Sequence, residues 1–144
     1  MKSIQDLKNK YKINEVKDIK EEVSFISLFV ARLFEARQVT HVLHLQTKSY
    51  AEHKALDEFY NGILELADEF IETYQGEHGI IKNYPVLSTQ VGNSGDAIAY
   101  LDGFATDLKK SHSNIKEEDS HLDNIIDEMT ALTYRTLYKL KNLK

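Results

Sequence analysis

The chain has 144 residues, a formal net charge of −5 and no cysteine. A chain of this length forms one domain with a single hydrophobic core. Without cysteine, disulfide frameworks and thiolate metal sites are excluded, so imidazole and carboxylate groups must hold any metal. The negative charge argues against extensive wrapping of nucleic acid.

No apolar run approaches the roughly 20 residues of a membrane helix. The N-terminus also lacks the apolar core of a signal peptide. We therefore expect a cytoplasmic protein without a membrane partner.

Lysine is concentrated at the start of the chain. Six lysines stand against three acidic residues in the first twenty positions. We interpret residues 1–19 as a lysine-rich N-terminal arm and residues 20–144 as the folded domain. Such a composition is typical of a solvent-exposed amphipathic segment, and it also permits contacts with DNA phosphates.

The first two predicted helices follow the arm. Apolar residues at three- and four-residue steps predict a helix over about residues 20–46. Ser49 and Glu52 form a capping box, so a second helix is predicted to begin near Tyr50. Its apolar positions continue to about Tyr74, and Gly76 is expected to end it.

Two more helices are predicted after a long connection. The third covers residues 93–112 and contains Gly103, which permits close packing. The fourth runs over about residues 116–143, where acidic residues at the start and lysines at the end match the helix dipole. Within it, Glu118 and His121 have the spacing used in di-iron bundles. Because no second such element occurs, we interpret them as an acidic helix start and a surface histidine.

The connection between the second and third helices is about 16 residues long, from Glu77 to Gly92. In extended form it reaches roughly 50 Å, whereas a 24-residue helix is about 36 Å long. It can therefore run the whole length of a bundle. The sequence predicts an all-α, ferritin-like four-helix bundle with a long crossover between helices 2 and 3.

Two pairs of potential metal ligands lie on one stripe of the second helix. His53 and Asp57 are four residues apart, as are Asp68 and Glu72, and this spacing puts each pair on one face. The pairs are about 16 Å apart along the helix axis. A single ion cannot contact both, because metal–ligand distances are near 2 Å. Each pair is therefore predicted to be half of a site.

Other elements must complete these half-sites. If the turn centres on residues 48 and 49, His44 lies level with His53, and His41 lies level with Asp57. Asp68 and Glu72 remain remote from these histidines in one chain. A second copy, related by a two-fold axis, would complete two identical sites with helix 2 antiparallel to its mate.

This spacing resembles the intersubunit ferroxidase centre of the Dps miniferritins, the DNA-binding proteins from starved cells. The specific part lies within residues 41–72, in the stretch HLQTKSYAEHKALDEFYNGILELADEFIE, and the similarity extends over about residues 22–142. Some tailed phages carry shorter Dps-like proteins with a similar block. In this chain Leu45 stands where the family has tryptophan, and the turn after the first helix is about three residues shorter.

The resemblance implies a set of iron ligands. His53 and Asp57 of one subunit would bind iron together with Asp68 and Glu72 of the other. The first helix would add one histidine, and the choice stays open. Spacing to His53 selects His41, whereas the position in the motif selects His44. The implied ions are Fe(II) and Fe(III), and zinc or manganese fits the same donors.

The resemblance also implies a function. A ferroxidase of this kind oxidises Fe(II) with hydrogen peroxide or dioxygen and stores ferric mineral inside a homo-oligomeric shell, a dodecamer built on two-fold dimers. Two alternatives stay open. One is a shell that holds DNA through the arm of residues 1–19, which multivalency would strengthen. The other is a structural bundle without turnover.

Overall fold

The described part of the protein is entirely helical in its regular structure. The computed structural model describes residues 24–85 and 96–144. The predicted arm, residues 1–19, lies outside the described residues. Four α-helices are present in the described ranges: α1 Phe25–Gln46, α2 Tyr50–His78, α3 Ala97–Ser111 and α4 Ser120–Asn142. The all-α prediction is therefore confirmed. None of the described helices combines the length and apolar character needed to span a membrane.

Serine caps set the starts of α1 and α2. Ser24 Oγ accepts a hydrogen bond from the Ser27 amide, and Ser49 Oγ accepts one from the Glu52 amide. These bonds satisfy amide donors that have no partner within the helix. The predicted start of α2 at Tyr50 is confirmed.

Several helix boundaries differ from the prediction. α1 begins at Phe25 instead of near residue 20, and α3 begins at Ala97 instead of residue 93. Gly76 lies inside α2, which continues to His78, and Gly79 leaves the helix with a φ of 90°. An interior glycine costs only about 1 kcal/mol relative to alanine, so it does not end a helix by itself. At the start of α4, residues 117–119 form a 3₁₀ turn, and the α-helix begins at Ser120 instead of near residue 116.

All four helices contribute to one apolar core. Phe59 and Phe70 of α2 are fully buried, and the Phe70 ring meets Phe29 of α1 edge-on at 5.1 Å. Phe104 of α3 packs edge-on against Phe59 at 6.0 Å. Burying such a side chain contributes about 1.5–3 kcal/mol. The remaining fully buried large residues are Leu28, Leu33, Leu56, Ile63, Leu101, Leu108, Leu122, Ile126 and Met129.

The packing order of the helices differs from their order in the chain. α1 packs against α2, α2 against α4, and α4 against α3, while α1 also contacts α3. The consecutive helices α2 and α3 therefore occupy diagonal corners. In an up-down-up-down bundle with short loops, consecutive helices lie side by side. The observed order requires a different connection between α2 and α3.

The ends of this connection lie at opposite ends of the bundle. The end of α2 lies beside the start of α4, where Glu77 Oε2 is 2.7 Å from His121 Nε2. α3 ends only nine residues before α4 begins. The last residue of α3 therefore lies at the same end of the bundle as the last residue of α2, and the first residue of α3 lies at the opposite end. The first part of the connection packs along α1. Ile81 joins a buried cluster with Val30, and the Tyr84 ring lies 6.5 Å from Phe34.

A buried charged group joins α1 to α3. Arg32 Nε donates to Asp107 Oδ2 at 3.0 Å, and Arg32 Nη1 donates to Glu35 Oε1 at 3.1 Å and to the Tyr100 hydroxyl at 2.7 Å. Burial raises the pKa of Tyr100 well above its usual value, so the phenol stays neutral. This group fixes the position of α3 against α1 through hydrogen bonds to charged partners.

Close helix packing occurs at a different glycine from the one expected. A Cβ added at Gly103 would have no neighbouring atom within 4 Å, so this residue does not serve close packing. A Cβ added at Gly62 would lie 2.9 Å from Cδ2 of Leu132. Gly62 therefore sits where α2 and α4 approach each other.

We expect Gly103→Ala to raise the free energy of unfolding by about 0.5–1 kcal/mol, because alanine removes backbone entropy from the unfolded chain. Gly62→Ala is the matched control. It should gain less or lose stability, since Leu132 must shift. Urea unfolding followed by circular dichroism compares the two variants, and equal stabilisation by both would contradict this account of Gly62.

Candidate metal-binding sites

His44 of α1 and His53 of α2 form a stacked pair beside the turn that joins these helices. Their ring centroids are 3.6 Å apart with an interplanar angle of 19°. His44 Nδ1 lies 2.7 Å from the carbonyl oxygen of His53, and His53 Nδ1 lies 2.9 Å from the carbonyl oxygen of His44. His44 is thus level with His53, as the sequence predicted from the turn.

The hydrogen bonds of this pair determine that Nδ1 carries a proton in both rings. A carbonyl oxygen only accepts, so each Nδ1 must carry a proton and donate it. In the neutral ring, Nε2 then keeps its lone pair. Metal-binding histidines commonly have this arrangement, in which the second ring N–H is held by a carbonyl or carboxylate. Nε2 is therefore the atom through which either ring would bind a cation.

Tyr60 connects the histidines of α1 to Asp57. The His41 ring stacks on Tyr60 with a centroid distance of 4.3 Å, and the His44 ring meets Tyr60 edge-on at 5.2 Å. The Tyr60 hydroxyl donates to Asp57 Oδ1 at 2.8 Å. His41 and Asp57 thus contact opposite parts of Tyr60, its ring and its hydroxyl.

The environment of Tyr60 keeps its phenol neutral. The hydrogen bond to Asp57 raises the pKa of Tyr60 above its usual value, and burial adds to this effect. The sequence reasoning did not include Tyr60, although it stands three residues after Asp57, at a spacing that brings helical side chains together.

Asp68 and Glu72 do not join this group within one chain. Both are exposed on α2, and Asp68 is about 16 Å along the axis from Asp57. Leu64, which is 36% exposed, lies on the outer face between the two pairs. The predicted ligands thus form a group at the α1–α2 turn and a separate exposed pair.

A different cluster brings three potential ligands closer together. Within residues 24–85 and 96–144, Glu77, His78 and Asp119 form a group whose ligand atoms all lie within 4.8 Å of one another. The six predicted ligands form no such group in one chain over the same residues. The cluster joins the end of α2 to the start of α4. Sequence reasoning missed it because the second helix was expected to end before Glu77.

Hydrogen bonds organise this cluster. His78 Nε2 lies 3.0 Å from Asp119 Oδ2 and 3.6 Å from Glu77 Oε2. His121 Nε2 lies 2.7 Å from the same Glu77 oxygen. Burial alone raises the pKa of Asp119, but the hydrogen bond with His78 and the nearby imidazoles of His78 and His121 outweigh that effect and lower it below the usual value. Asp119 is therefore a carboxylate at neutral pH.

Over residues 24–85 and 96–144 the protein is all-α, with four α-helices and with His and acidic side chains grouped at both ends of α2. Residues 44–140 match the family of unknown function DUF5856, and the chain belongs to this family. It is also similar to the uncharacterized 14.6 kDa protein in the mobD-ri intergenic region of Enterobacteria phage T4. The identity is 32% over 112 residues, covering 78% of this chain and 84% of the phage protein. No solved structure matches the chain significantly.

We expect His44 and His53 to be in the Nδ1–H form at neutral pH, because each Nδ1 faces a carbonyl oxygen. Long-range ¹⁵N–¹H correlation spectra of the imidazole nitrogens measure this directly. His121, whose Nε2 faces a carboxylate, is the internal control. A protonated Nε2 on neutral His44 or His53 would contradict the geometry of the pair.

Proposed function

We propose that the chain binds Fe(II) at sites shared between two two-fold-related copies and oxidises it there, in the manner of the Dps miniferritins. The observation that carries the proposal is the arrangement of the ligand pairs on α2. One pair lies next to ordered histidines, and the other is exposed and separated from it by about three helical turns. A symmetric partner unites both pairs into two equal sites.

The register of α2 supports a two-fold axis. The midpoint between His53 and Glu72 falls between Gly62 and Ile63, and the midpoint between Asp57 and Asp68 falls at the same place. Two antiparallel copies of α2 that cross at this point therefore bring His53 level with the partner subunit's Glu72. They also bring Asp57 level with the partner subunit's Asp68. One axis satisfies both pairs.

The outer face of α2 suits such a contact. Phe59 and Ile63 point into the core and are fully buried, so the opposite face is turned away from the subunit. Leu64 lies on that face close to the proposed axis and leaves 36% of its surface exposed. Two copies of Leu64 would meet near the axis, where apolar contact stabilises association.

The donors fit iron. Each site would combine His53 Nε2 with carboxylates of Asp57 and of the partner subunit's Asp68 and Glu72. Carboxylate oxygens suit Fe(III), and neutral imidazole suits Fe(II). Without a cation, the carboxylates would repel one another across the axis, and a bound ion removes that repulsion. Between the two candidate histidines of α1, His44 is the one in direct contact with His53.

The packing order of the helices also supports the proposal. A ferritin-like bundle has one long crossover that places helices 2 and 3 on a diagonal. The diagonal position of α2 and α3 agrees with this connection. Assembly of the pairs into a dodecameric shell, and retention of DNA by residues 1–19, are extensions that rest on the family resemblance.

The reaction treats iron as a substrate. Two Fe(II) ions each lose one electron, and hydrogen peroxide accepts both as its O–O bond breaks to give two hydroxide ions. Protein ligands that leave coordination positions open allow the oxidant to approach. Leu45, at the family's tryptophan position, is 68% exposed and has no oxidisable ring. Tyr60 is the aromatic side chain that contacts the histidines instead.

A subunit-mixing experiment tests the shared site. Asp57→Ala and Glu72→Ala should each abolish protein-dependent Fe(II) oxidation, because each removes one ligand from both sites of a pair. When the two variants are unfolded together and refolded, random pairing makes half of the pairs mixed, and each mixed pair regains one intact site. The oxidation rate should recover to about one quarter of the unmodified rate.

The matched control is Glu65→Ala with Glu69→Ala, which removes two exposed carboxylates of the same helix and spacing but outside both ligand pairs. This variant should oxidise Fe(II) at the unmodified rate. Native mass measurement accompanies the assay. A monomeric protein, or mixed variants without recovery, would refute the shared site.

A further inference from the structure

We infer that Glu77, His78, Asp119 and His121 form a second metal site, which binds a divalent transition-metal cation such as Zn²⁺ within one chain. This site is independent of the proposed iron site, because it needs no partner subunit. It lies where the end of α2 meets the start of α4.

The orientation of Asp119 is the first argument. Asp119 occupies the N-cap position of α4, where an aspartate side chain normally accepts a hydrogen bond from a helix amide. Its carboxylate makes no capping hydrogen bond. It is directed to His78 of α2 instead, at 3.0 Å. The Asp119 carboxylate therefore contacts His78 instead of capping α4.

The second argument is an unsatisfied oxygen atom. Asp119 is only 5% exposed, and its Oδ1 is buried without a hydrogen-bond partner. Leaving such an acceptor unpaired is destabilising, and more so when it is charged. Oδ1 belongs to the same carboxylate as Oδ2, which contacts His78. A cation bound by this carboxylate would satisfy both oxygens, whereas the ion pair with His78 satisfies only one.

The spacing of the donor atoms is the third argument. Tetrahedral zinc with bonds near 2.0–2.1 Å places its ligand atoms roughly 3.3 Å apart. The contacts between donor atoms in the cluster are 2.7 Å, 3.0 Å and 3.6 Å. These three contacts lie on both sides of the required value, and the ligand atoms of Glu77, His78 and Asp119 all lie within 4.8 Å of one another, so an ion could enter after movement of the side chains. Without a metal ion, the imidazole N–H groups donate hydrogen bonds to the carboxylates across these contacts.

Exposure allows a cation to reach these ligands. The side chains of His121, Glu77 and His78 are 46%, 38% and 32% exposed, whereas that of Asp119 is 7% exposed. The buried carboxylate forms the floor of the cluster, and the other three groups form its rim. The rim side chains can adjust to the ion without disturbing the core.

The chemistry of the donors selects the class of cation. Two imidazoles and two carboxylates match the nitrogen and oxygen ligation of zinc and neighbouring transition metals. Calcium requires six to eight oxygen ligands, and magnesium retains its water shell. A bound ion would join α2 to α4 at the end of the bundle where the long connection begins. Because it binds only the folded chain, it would stabilise that chain.

The test measures Zn²⁺ binding by calorimetry on a chain carrying Asp57→Ala and Glu72→Ala, which removes the proposed shared sites. We expect one Zn²⁺ ion per chain, with imidazole ¹⁵N signals of His78 and His121 shifted by the metal. Adding Asp119→Asn should weaken binding at least tenfold. His121→Ala should also weaken it, and because the His121 side chain lies outside the apolar core, this variant should still fold.

Asp123→Asn is the matched control. His112 lies between Asp123 and Asp127, but its Nδ1 faces one and its Nε2 faces the other, so these three groups share no common point for an ion. Zn²⁺ affinity should be unchanged in this variant. Equal affinities for Asp119→Asn, His121→Ala and Asp123→Asn would overturn the inference, as would metal shifts confined to His41, His44 and His53. Failure of the iron assay leaves this result unaffected.

Discussion

The structure depends on the division of α2 into a core face and an outer face. Phe59, Ile63 and Phe70 fill the centre of the bundle, so the rotation of α2 about its axis is fixed. Asp68 and Glu72 must then point away from the subunit, and His53 must face α1. α2 continues past Gly76 to His78, where Glu77 and His78 contact His121 and Asp119 at the start of α4. Both metal-binding proposals use polar groups whose position follows from this apolar face.

Local chemistry made much of the fold predictable. Ser49 starts α2 through a side-chain hydrogen bond within one turn, and such a signal is contained in a few neighbouring residues. Helix ends were less predictable, because Gly76 and Gly79 are both plausible stops from composition alone. Only the positive φ of Gly79 separates them, and tertiary packing determines where that angle falls.

The same limit applies to the sites. Four-residue spacing on one helix predicts that Asp68 and Glu72 share a face, and the turn length predicts that His44 meets His53. Contacts between distant segments carry no such periodicity. Asp119 meets His78 only because α2 and α4 are packed neighbours. A single sequence contains no local signal for that contact, so the second cluster required coordinates.

The reciprocal bonds of His44 and His53 have a consequence for the design of variants. The His44 carbonyl belongs to the last turn of α1, where carbonyl groups lack partners within the helix. His53 supplies that partner from another helix. Removing the His53 imidazole would therefore uncap α1, whereas removing the His44 imidazole would break the bond to the His53 carbonyl of α2, whatever happens to metal affinity. Substitutions of the carboxylates therefore test metal binding directly. Substitutions of His44 or His53 also remove a hydrogen bond to the backbone, so their effects on metal binding and on helix stability are combined.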